Sequence, residues 1–495
     1  MSKQKGYVAF DLGAESGRGI YGYIKNGKIK LEVLRRFLNE PVELNGTLYW
    51  DLPFFFNELK KSIMLCDPSL KKKISSIGID TWGCDYGLLD KKGNLLSNPV
   101  HYRDNRTKGM IEKFMKAAGR EKIYGITGIQ YNFFNTSVQL FAQHRKDPSI
   151  LKSAATLLQM PDLLGYFFTG KKASEQTIVS TSQLYDPGKK DWSPYLLKKA
   201  GVPAKIMLKP KPAGTTLGPV KKDILEEMGA AKIKVVSVGG HDTASAVAAT
   251  PAKRGTNWAY LSSGTWSLIG IETEKPVINE TTLANNFTNE AGVYNTNRLI
   301  KNVMGLWLIQ RCRKKWMDDD RKELAYPVLV KEAEKAKGFR AFVDPNDQSF
   351  YSTPDMPGAI NAFLKKTGQK PLKTRGEIIR CIMESLAFEY RASIEVLGKL
   401  KGNKIEVLHI LGGGSQNGPL CRYTADACGI KVIAGPVEAT ALGNIVVQAI
   451  VSRELKDLEH ARALIKNSFP LKVYQPANNS GWDENYSKFL GLKKV

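Results

Sequence analysis

The sequence predicts an α/β protein made of two similar parts, and three observations predict it. Short apolar strand-like segments alternate with helix-like segments along the whole chain. Two hairpin-like segments, one opening each half, share a single plan. A length of 495 residues leaves room for two to four domains, each able to bury its own core.

The first hairpin spans residues 6–24 (GYVAFDLGAESGRGIYGYI), a strand, a turn from Gly13 to Gly17, and a second strand. Residues 257–272 (NWAYLSSGTWSLIGIE) repeat the plan, with Ser262-Ser263-Gly264-Thr265 in the turn. Turns rich in Gly and hydroxyl side chains offer N–H and O–H groups to anions, as phosphate-binding nests do. The repeat points to a duplicated α/β domain holding a ligand between its halves. On these residues alone, two unrelated hairpins account for it equally well. Pro251-Ala252-Lys253-Arg254-Gly255 is the best linker, which divides the chain into domains 1–250 and 251–495.

The remaining elements follow in order. A strand at Ile74–Asp80 leads into Thr81-Trp82-Gly83-Cys84-Asp85, and a second strand covers Tyr86–Leu89. Helices are expected at Arg106–Ala118, Thr136–Arg145, from Ile150–Ala155 onward, and at Pro161–Thr169. Val235–Gly239 is a short buried strand that runs into Gly240-His241-Asp242-Thr243. A helix over Thr243–Ala249 starts there, with a polar side chain as its cap. Apolar residues Ile378, Ile379, Ile382, Leu386 and Ile394 have helical spacing, which predicts a long amphipathic helix over Arg375–Leu397. A strand Val407–Leu411 ends in Gly412-Gly413-Gly414, followed by a helix Leu420–Cys428 and a strand Lys431–Ala434. Helices at Ala439–Ser452 and Leu458–Ile465 complete the set.

Composition excludes several classes. With 42% hydrophobic and 24% charged residues the chain is neither disordered nor a disulfide scaffold. Lys and Arg outnumber Asp and Glu by 73 to 48, a formal charge of +25. Nucleic acid or an anionic membrane could account for that excess. The basic residues, however, fall in scattered pairs and triplets such as Lys60-Lys61 and Lys71-Lys72-Lys73, which suits a solvated surface. None of the six Cys forms a C-x-x-C pair, so zinc ribbons are excluded and free thiols in a reducing cytoplasm are expected. No segment has the run of about 18 apolar residues that a membrane helix needs.

The chain lacks G-x-x-x-x-G-K-[ST], H-E-x-x-H and G-x-S-x-G, so P-loop, zincin and serine-elbow chemistries fall away. What remains is a set of polar residues where predicted strands end, the place at which open α/β sheets hold ligands. Asp11 ends the first strand beside a phosphate-type turn, where a carboxylate suits Mg²⁺; capping the turn is its structural alternative. Asp242 emerges from strand into turn, where a carboxylate can take a hydroxyl proton during phosphoryl transfer. Capping the following helix is its alternative, and the two roles are compatible. Gly412–Gly414 permits close backbone approach to a ligand. Asp80 and Asp85 flank Trp82-Gly83 with the aromatic and acidic character of sugar sites, or else hydrogen-bond within their own loop.

Together these segments resemble the FGGY carbohydrate kinases, a family of the actin and hexokinase ATPase class. The matching motifs are Asp11 to Arg18, Gly78 to Gly83, Tyr102-Arg103-Asp104 with Arg106-Thr107, Gly240 to Val247, Ser262 to Ser267, Lys301 to Trp307, Gly412 to Asn417, and Ala425 to Gly429. Their order and intervals span nearly the whole chain. The resemblance implies two RNase H-like domains with the active site in the cleft between them. It also implies transfer of a phosphoryl group from ATP to a sugar, with Mg²⁺. L-rhamnulose giving L-rhamnulose 1-phosphate is the expected reaction, a kinase for another deoxyketose such as L-fuculose the alternative, and a non-catalytic sugar- or ATP-binding regulator the reading from another class.

The same resemblance implies site roles. Asp242 is the expected base, and Gly83, His241, Asp242, Thr243 and Asn302 line the sugar. Ala14, Glu15, Ser16, Gly17 and Arg18 form the first phosphate loop, with Asp11 near the metal. Gly264 and Thr265 form the second, and Gln310, Gly413 and Gly414 border the nucleotide. Glu15 departs from the small hydroxyl residue usual in the family, and it is expected to point outward, away from the phosphates. The expected partners are ATP and a small sugar, without nucleic acid or membrane, for a cytoplasmic monomer or homodimer.

Overall fold

The computed structural model describes residues 4–253, 255–351, 353–477 and 480–493, so Arg254 of the expected linker lies outside the described residues. Contacts between Cα atoms divide the chain into two compact units. The first comprises Met1–Ala249, Glu272–Ile300 and Ala439–Ser468; the second comprises Thr250–Ile271, Lys301–Glu438 and Phe469–Val495. The first boundary falls beside the expected 250/251, but the chain returns twice to the first unit rather than forming two contiguous halves.

The first unit is built on a six-stranded sheet in the order Thr215–Pro219, Lys234–Ser237, Ile74–Thr81, Gly6–Leu12, Ser16–Lys25, Lys28–Leu38. Gly6–Leu12 is central and buried at all seven positions, antiparallel to Ser16–Lys25 and parallel to Ile74–Thr81. Its near-continuous apolar sequence suits a strand covered on both faces. Asn26 and Gly27, with φ of 52° and 66°, make the tight turn to Lys28–Leu38. Two left-handed residues in succession are what a type I′ hairpin turn requires, and Asn-Gly supplies them at little cost. The strand Lys28–Leu38 and the helix Leu52–Met64 are additions to the elements expected from sequence.

The helix Ala439–Val451, far away in sequence, belongs to this unit because of what it packs on. A Cβ on Gly443 would lie 1.7 Å from the Ser245 carbonyl oxygen, so only glycine admits the close crossing with the helix Asp242–Ala248. Gln448 on the same helix accepts from Ser76 Oγ at 2.7 Å and donates to the Val8 carbonyl at 3.0 Å. Buried polar groups on a helix need such partners, and here they lie on the central strands. An antiparallel pairing of Thr288–Ala291 with Asn297–Ile300 also lies in this unit.

In the second unit the strand neighbours run Trp266–Thr273, Trp258–Ser263, Val407–Leu411, Lys431–Ala434, Lys472–Tyr474. The first pair is the antiparallel hairpin expected from sequence, and Val407–Leu411 adds in parallel. The long helix runs over Arg375–Lys401, with a Thr374/Glu377 capping box at its start and Gly402 at φ 72° after its end. All five apolar residues used to predict it are buried. Elsewhere, the expected helix from Arg106 is a single 3₁₀ turn, Asn105–Thr107, followed by a helix at Met110–Ala118. Left-handed Gly109 separates the two. The expected helix from Ile150 ends at Ser153 and gives way to the strand Thr156–Gln159. Among the described residues, no helix is long and apolar enough to cross a membrane.

Candidate active site

Three strand ends of the first unit deliver its carboxylates. Asp11 and Asp80 are register partners on neighbouring parallel strands, and Thr81 is bridged to His241. The ends are tied by backbone bonds, Thr81 N–H to the Gly240 carbonyl at 2.9 Å and Trp82 N–H to the Leu12 carbonyl at 3.0 Å. Asp11 is buried and lies 2.7 Å from the Arg18 guanidinium, its partner across the hairpin. Asp80 is fully buried and accepts from Asn444 Nδ2 at 2.6 Å. Burial first, and then the neighbouring Asp11 carboxylate, push its carboxyl well above the usual carboxylate range.

Asp242 differs from both. Its side chain is 27% exposed, open to a substrate. It is the first residue of the helix Asp242–Ala248, and His241 occupies the N-cap position without a side-chain cap bond. The helix-capping alternative for Asp242 is thus corrected to a first-turn carboxylate, which the helix dipole favours as an anion. Asp242 Oδ1 accepts from Thr243 N–H at 2.6 Å and from Thr243 Oγ1 at 3.1 Å. His241 Nε2 lies 3.4 Å from the same oxygen.

The first loop is shorter than the motif that predicts it. Ser16, Gly17 and Arg18 already belong to the second strand, leaving Gly13-Ala14-Glu15 as the turn. Gly13 N–H bonds to the Ser16 carbonyl at 3.0 Å, and Asn39 N–H to the Glu15 carbonyl at 3.0 Å. The Glu15 residue is exposed. Gly17 is buried, and a Cβ there would lie 2.4 Å from the Phe37 ring, so any larger residue would have to displace that side chain. A Cβ on Gly83 would lie 3.3 Å from Thr181 Oγ1, and that hydroxyl accepts from Cys84 N–H at 3.2 Å. Asp85 has the structural role foreseen as its alternative. It accepts from the indoles of Trp50 and Trp82 at 2.6 and 2.9 Å, from Gln139 at 2.9 Å and from Tyr102 N–H at 3.2 Å. Burial outweighs these bonds and raises its carboxyl to about 6.

The second unit supplies neutral groups. The turn Gly264-Thr265 is tied to the start of the helix Trp307–Asp320 by Leu306 N–H to the Gly264 carbonyl at 3.0 Å and Gly305 N–H to the Thr265 carbonyl at 3.1 Å. Gln310 lies on that helix, just past its tied end. Gly414 packs on this hairpin as well, since a Cβ there would fall 2.0 Å from Ser263 Oγ. Gly413 has nothing within 4 Å of where its Cβ would be, and Gly264 has only the Trp266 carbonyl, at 3.8 Å. Asn302 Oδ1, Gln310 Oε1 and Ser263 Oγ are buried without a hydrogen-bond partner among the described residues. Buried polar atoms are seldom left so unless water or a ligand completes them.

The donor set fits ATP with a hard divalent cation. Asp11 offers carboxylate oxygen at a strand end, while among the described residues no three His, Cys, Asp or Glu side chains form a metal cage. Mg²⁺ in phosphoryl-transfer sites is commonly held by one or two carboxylates, water and the substrate phosphates, so a full cage is not required.

Sequence reading missed Glu290 and Arg298, which sit against His241. They are register partners in the strand pair Thr288–Ala291 and Asn297–Ile300, and Glu290 Oε2 lies 3.0 Å from His241 Nδ1. The available signal was two opposite charges placed symmetrically about the turn Gly292–Thr296.

Comparison with known proteins completes the picture. Residues 6–249 match the N-terminal domain of the FGGY family of carbohydrate kinases, and residues 259–452 match its C-terminal domain. A rhamnulokinase from Bacteroides thetaiotaomicron is 44% identical over 486 residues, 98% of this chain and 99% of that protein. One from Bacillus subtilis is 39% identical over 472 residues, 95% of each chain. Among solved structures, a gluconate kinase from Lactobacillus acidophilus has a TM-score of 0.79 at 15% identity, covering 99% of this chain and 98% of its own. A glycerol kinase from Plasmodium falciparum, solved with ADP, has 0.78 at 16% identity over 99% and 97%.

Proposed function

The chain belongs to the FGGY family of carbohydrate kinases, and from that premise we propose that it phosphorylates L-rhamnulose to L-rhamnulose 1-phosphate with ATP. One observation carries the substrate: the relatives named rhamnulokinase align across both units, nearly end to end. The sugar-facing and nucleotide-facing segments are therefore similar together and not in one half only.

Asp242 acts as the base. It takes the proton of the sugar hydroxyl as that oxygen bonds to the γ-phosphorus and the bond from phosphorus to the β-phosphate bridge breaks, releasing ADP. Such a transfer needs positioning and charge stabilisation more than covalent chemistry, which suits a site without a P-loop. Gly83, His241, Thr243 and Asn302 are assigned to the sugar. Ala14, Glu15, Ser16, Gly17 and Arg18 are assigned to the first phosphate loop, and Gly264, Thr265, Gln310, Gly413 and Gly414 to the nucleotide. Asp11 would hold Mg²⁺, directly or through water, and the ion when bound would neutralise phosphate charge. All six Cys are free thiols, five of them buried, which suits a reducing cytoplasm.

A coupled assay of ADP release across a panel of ketoses, with MgATP, tests the reading. L-rhamnulose is expected to give the highest kcat/KM; equal or better turnover of L-fuculose would overturn the assignment.

A further inference from the structure

The first unit contains a buried ion pair, Glu290 and Arg298, that the proposed roles do not use. Glu290 and Arg298 face each other across an antiparallel ladder, with Arg298 Nη2 lying 3.2 Å from Glu290 Oε2. The Arg298 side chain is completely buried, and its Nη2 also donates to the Ala291 carbonyl at 3.0 Å. Glu290 Oε2 is 3.0 Å from His241 Nδ1, and His241 Nε2 is 3.4 Å from Asp242 Oδ1. Arg298 Nη2 also lies 3.2 Å from His241 Nδ1, so guanidinium and carboxylate both meet the ring at that nitrogen while Nε2 faces the base.

Stability does not account for this arrangement. Desolvating a carboxylate and a guanidinium costs several kcal/mol per ion, and apolar residues of similar volume do as well or better in such places. Burial raises the Glu290 carboxyl, but the His241 ring and Arg298 outweigh it and hold the group below its usual range. Glu290 therefore stays an anion facing the ring.

The backbone of His241 is fixed independently of these two residues. Gly240 N–H donates to Glu175 Oε2 at 2.9 Å, and His241 N–H to Thr177 Oγ1 at 3.2 Å. Glu290, with Arg298 beside it, consequently bears on the freedom left, the rotation of the ring about its Nδ1 edge. Thr243 N–H and Oγ1 both bond to Asp242 Oδ1, which leaves Oδ2 as the oxygen for the sugar proton.

We propose that Glu290, held in place by Arg298, is a positioning residue that sets the His241 ring and through it the orientation of the Asp242 carboxylate. The inference rests on Asp242 being the base. It gives the Nδ1–H of His241 to Glu290, leaves Arg298 to the carboxylate and the Ala291 carbonyl, and keeps Nε2 on the Asp242 side, as a carboxylate behind a functional imidazole does elsewhere.

Glu290→Gln keeps the shape and removes the charge. In this variant we expect sugar-saturated turnover to fall at least tenfold, with KM for MgATP within twofold of the parent. A purely structural role would lower yield or melting midpoint and leave turnover per folded molecule unchanged. Turnover and sugar KM within twofold of the parent, in a folded variant, overturn the proposal. Should the variant not fold, the parent protein decides by side-chain ¹⁵N NMR. A His241 Nδ1 proton protected from exchange, assigned by its loss in His241→Gln, supports the proposal, and its absence overturns it. The parent's own ADP release with L-rhamnulose is measured first. Inactivity there counts against the substrate reading alone, and the Glu290 comparison then runs on whichever ketose the parent accepts, or on the NMR signal if it accepts none.

Discussion

The hairpins Gly6–Lys25 and Trp258–Thr273 have the same plan, yet their turns carry opposite chemistry. In the first unit the strand ends present Asp11, Asp80 and Asp242, with Arg18 paired to Asp11. In the second unit the corresponding strand ends present Ser263, Gly264, Thr265 and Gly412 to Gly414, with no carboxylate among them. One sheet plan thus carries two different sets of side chains. The acidic ends suit proton removal and a hard cation, while the neutral ends suit close approach to phosphate oxygens that a carboxylate would repel. The division also explains why glycines matter differently on the two sides.

The largest effect that tests this contrast is at Asp242. Asp242→Asn should lower turnover by about three orders of magnitude or more while leaving ATP binding nearly intact. Single-turnover kinetics and nucleotide titration check both halves of the expectation. Near-normal turnover would mean that the acidic unit does not hold the base.

Next comes Asp85, the buried carboxylate that is structural. Its carboxyl is raised in the folded state from 3.8 to about 6, so the folded protein binds the proton more tightly than the unfolded chain. The resulting stabilisation is complete below about pH 4 and is lost as the pH rises through about 6, a change of about 3 kcal/mol. The melting midpoint of the parent, relative to Asp85→Asn, should therefore decline between about pH 4 and 6 and level off above. A flat difference across that range would show that Asp85 is not the buried hub described.

The glycines of the second unit sharpen the comparison further. Gly414→Ala forces a Cβ against Ser263 Oγ, and such overpacking typically costs about 1–3 kcal/mol. Gly413→Ala meets no protein atom, so its melting midpoint should match the parent while KM for MgATP rises about tenfold, roughly 1.4 kcal/mol. Equal thermal losses in the two variants would remove the distinction between a packing glycine and a ligand-facing one.

These residues also show what sequence could reveal. Both hairpins, the central strand and the long helix were legible because apolar spacing and local turn chemistry are short-range properties. Ile378, Ile379, Ile382, Leu386 and Ile394 predicted a helix, and all five are buried in one. Asp11 and Asp242 were legible because each ends an apolar run beside a glycine-bearing turn. Asn444 and Gln448 were not, because their partners Asp80 and Ser76 lie more than 360 residues earlier and no local pattern joins them. Glu290 and Arg298 were hidden for a related reason: a strand with a buried ion pair has the same composition as an exposed one. Gly17 was read into the first phosphate loop and Gly414 beside the nucleotide, yet the clash a Cβ would meet at each gives packing as a second cause.

The smallest expected effect is at Glu15, where the acidic unit carries a carboxylate in the turn assigned to phosphate. Two like charges that close would cost binding energy, unless water separates them. Glu15 lends its carbonyl to Asn39 N–H, and the residue is exposed. An exposed carboxylate in water interacts with charges a few ångströms away by about 1 kcal/mol or less, and salt reduces that further. Glu15→Ser should accordingly leave KM for MgATP within about twofold of the parent at physiological salt, which steady-state kinetics measures directly. A fall of tenfold or more, absent at high salt, would place the carboxylate against the phosphates. The acidic character of the first unit would then extend into its phosphate loop, and the division of labour between the two hairpins would have to be drawn at Asp11 instead of at the turn.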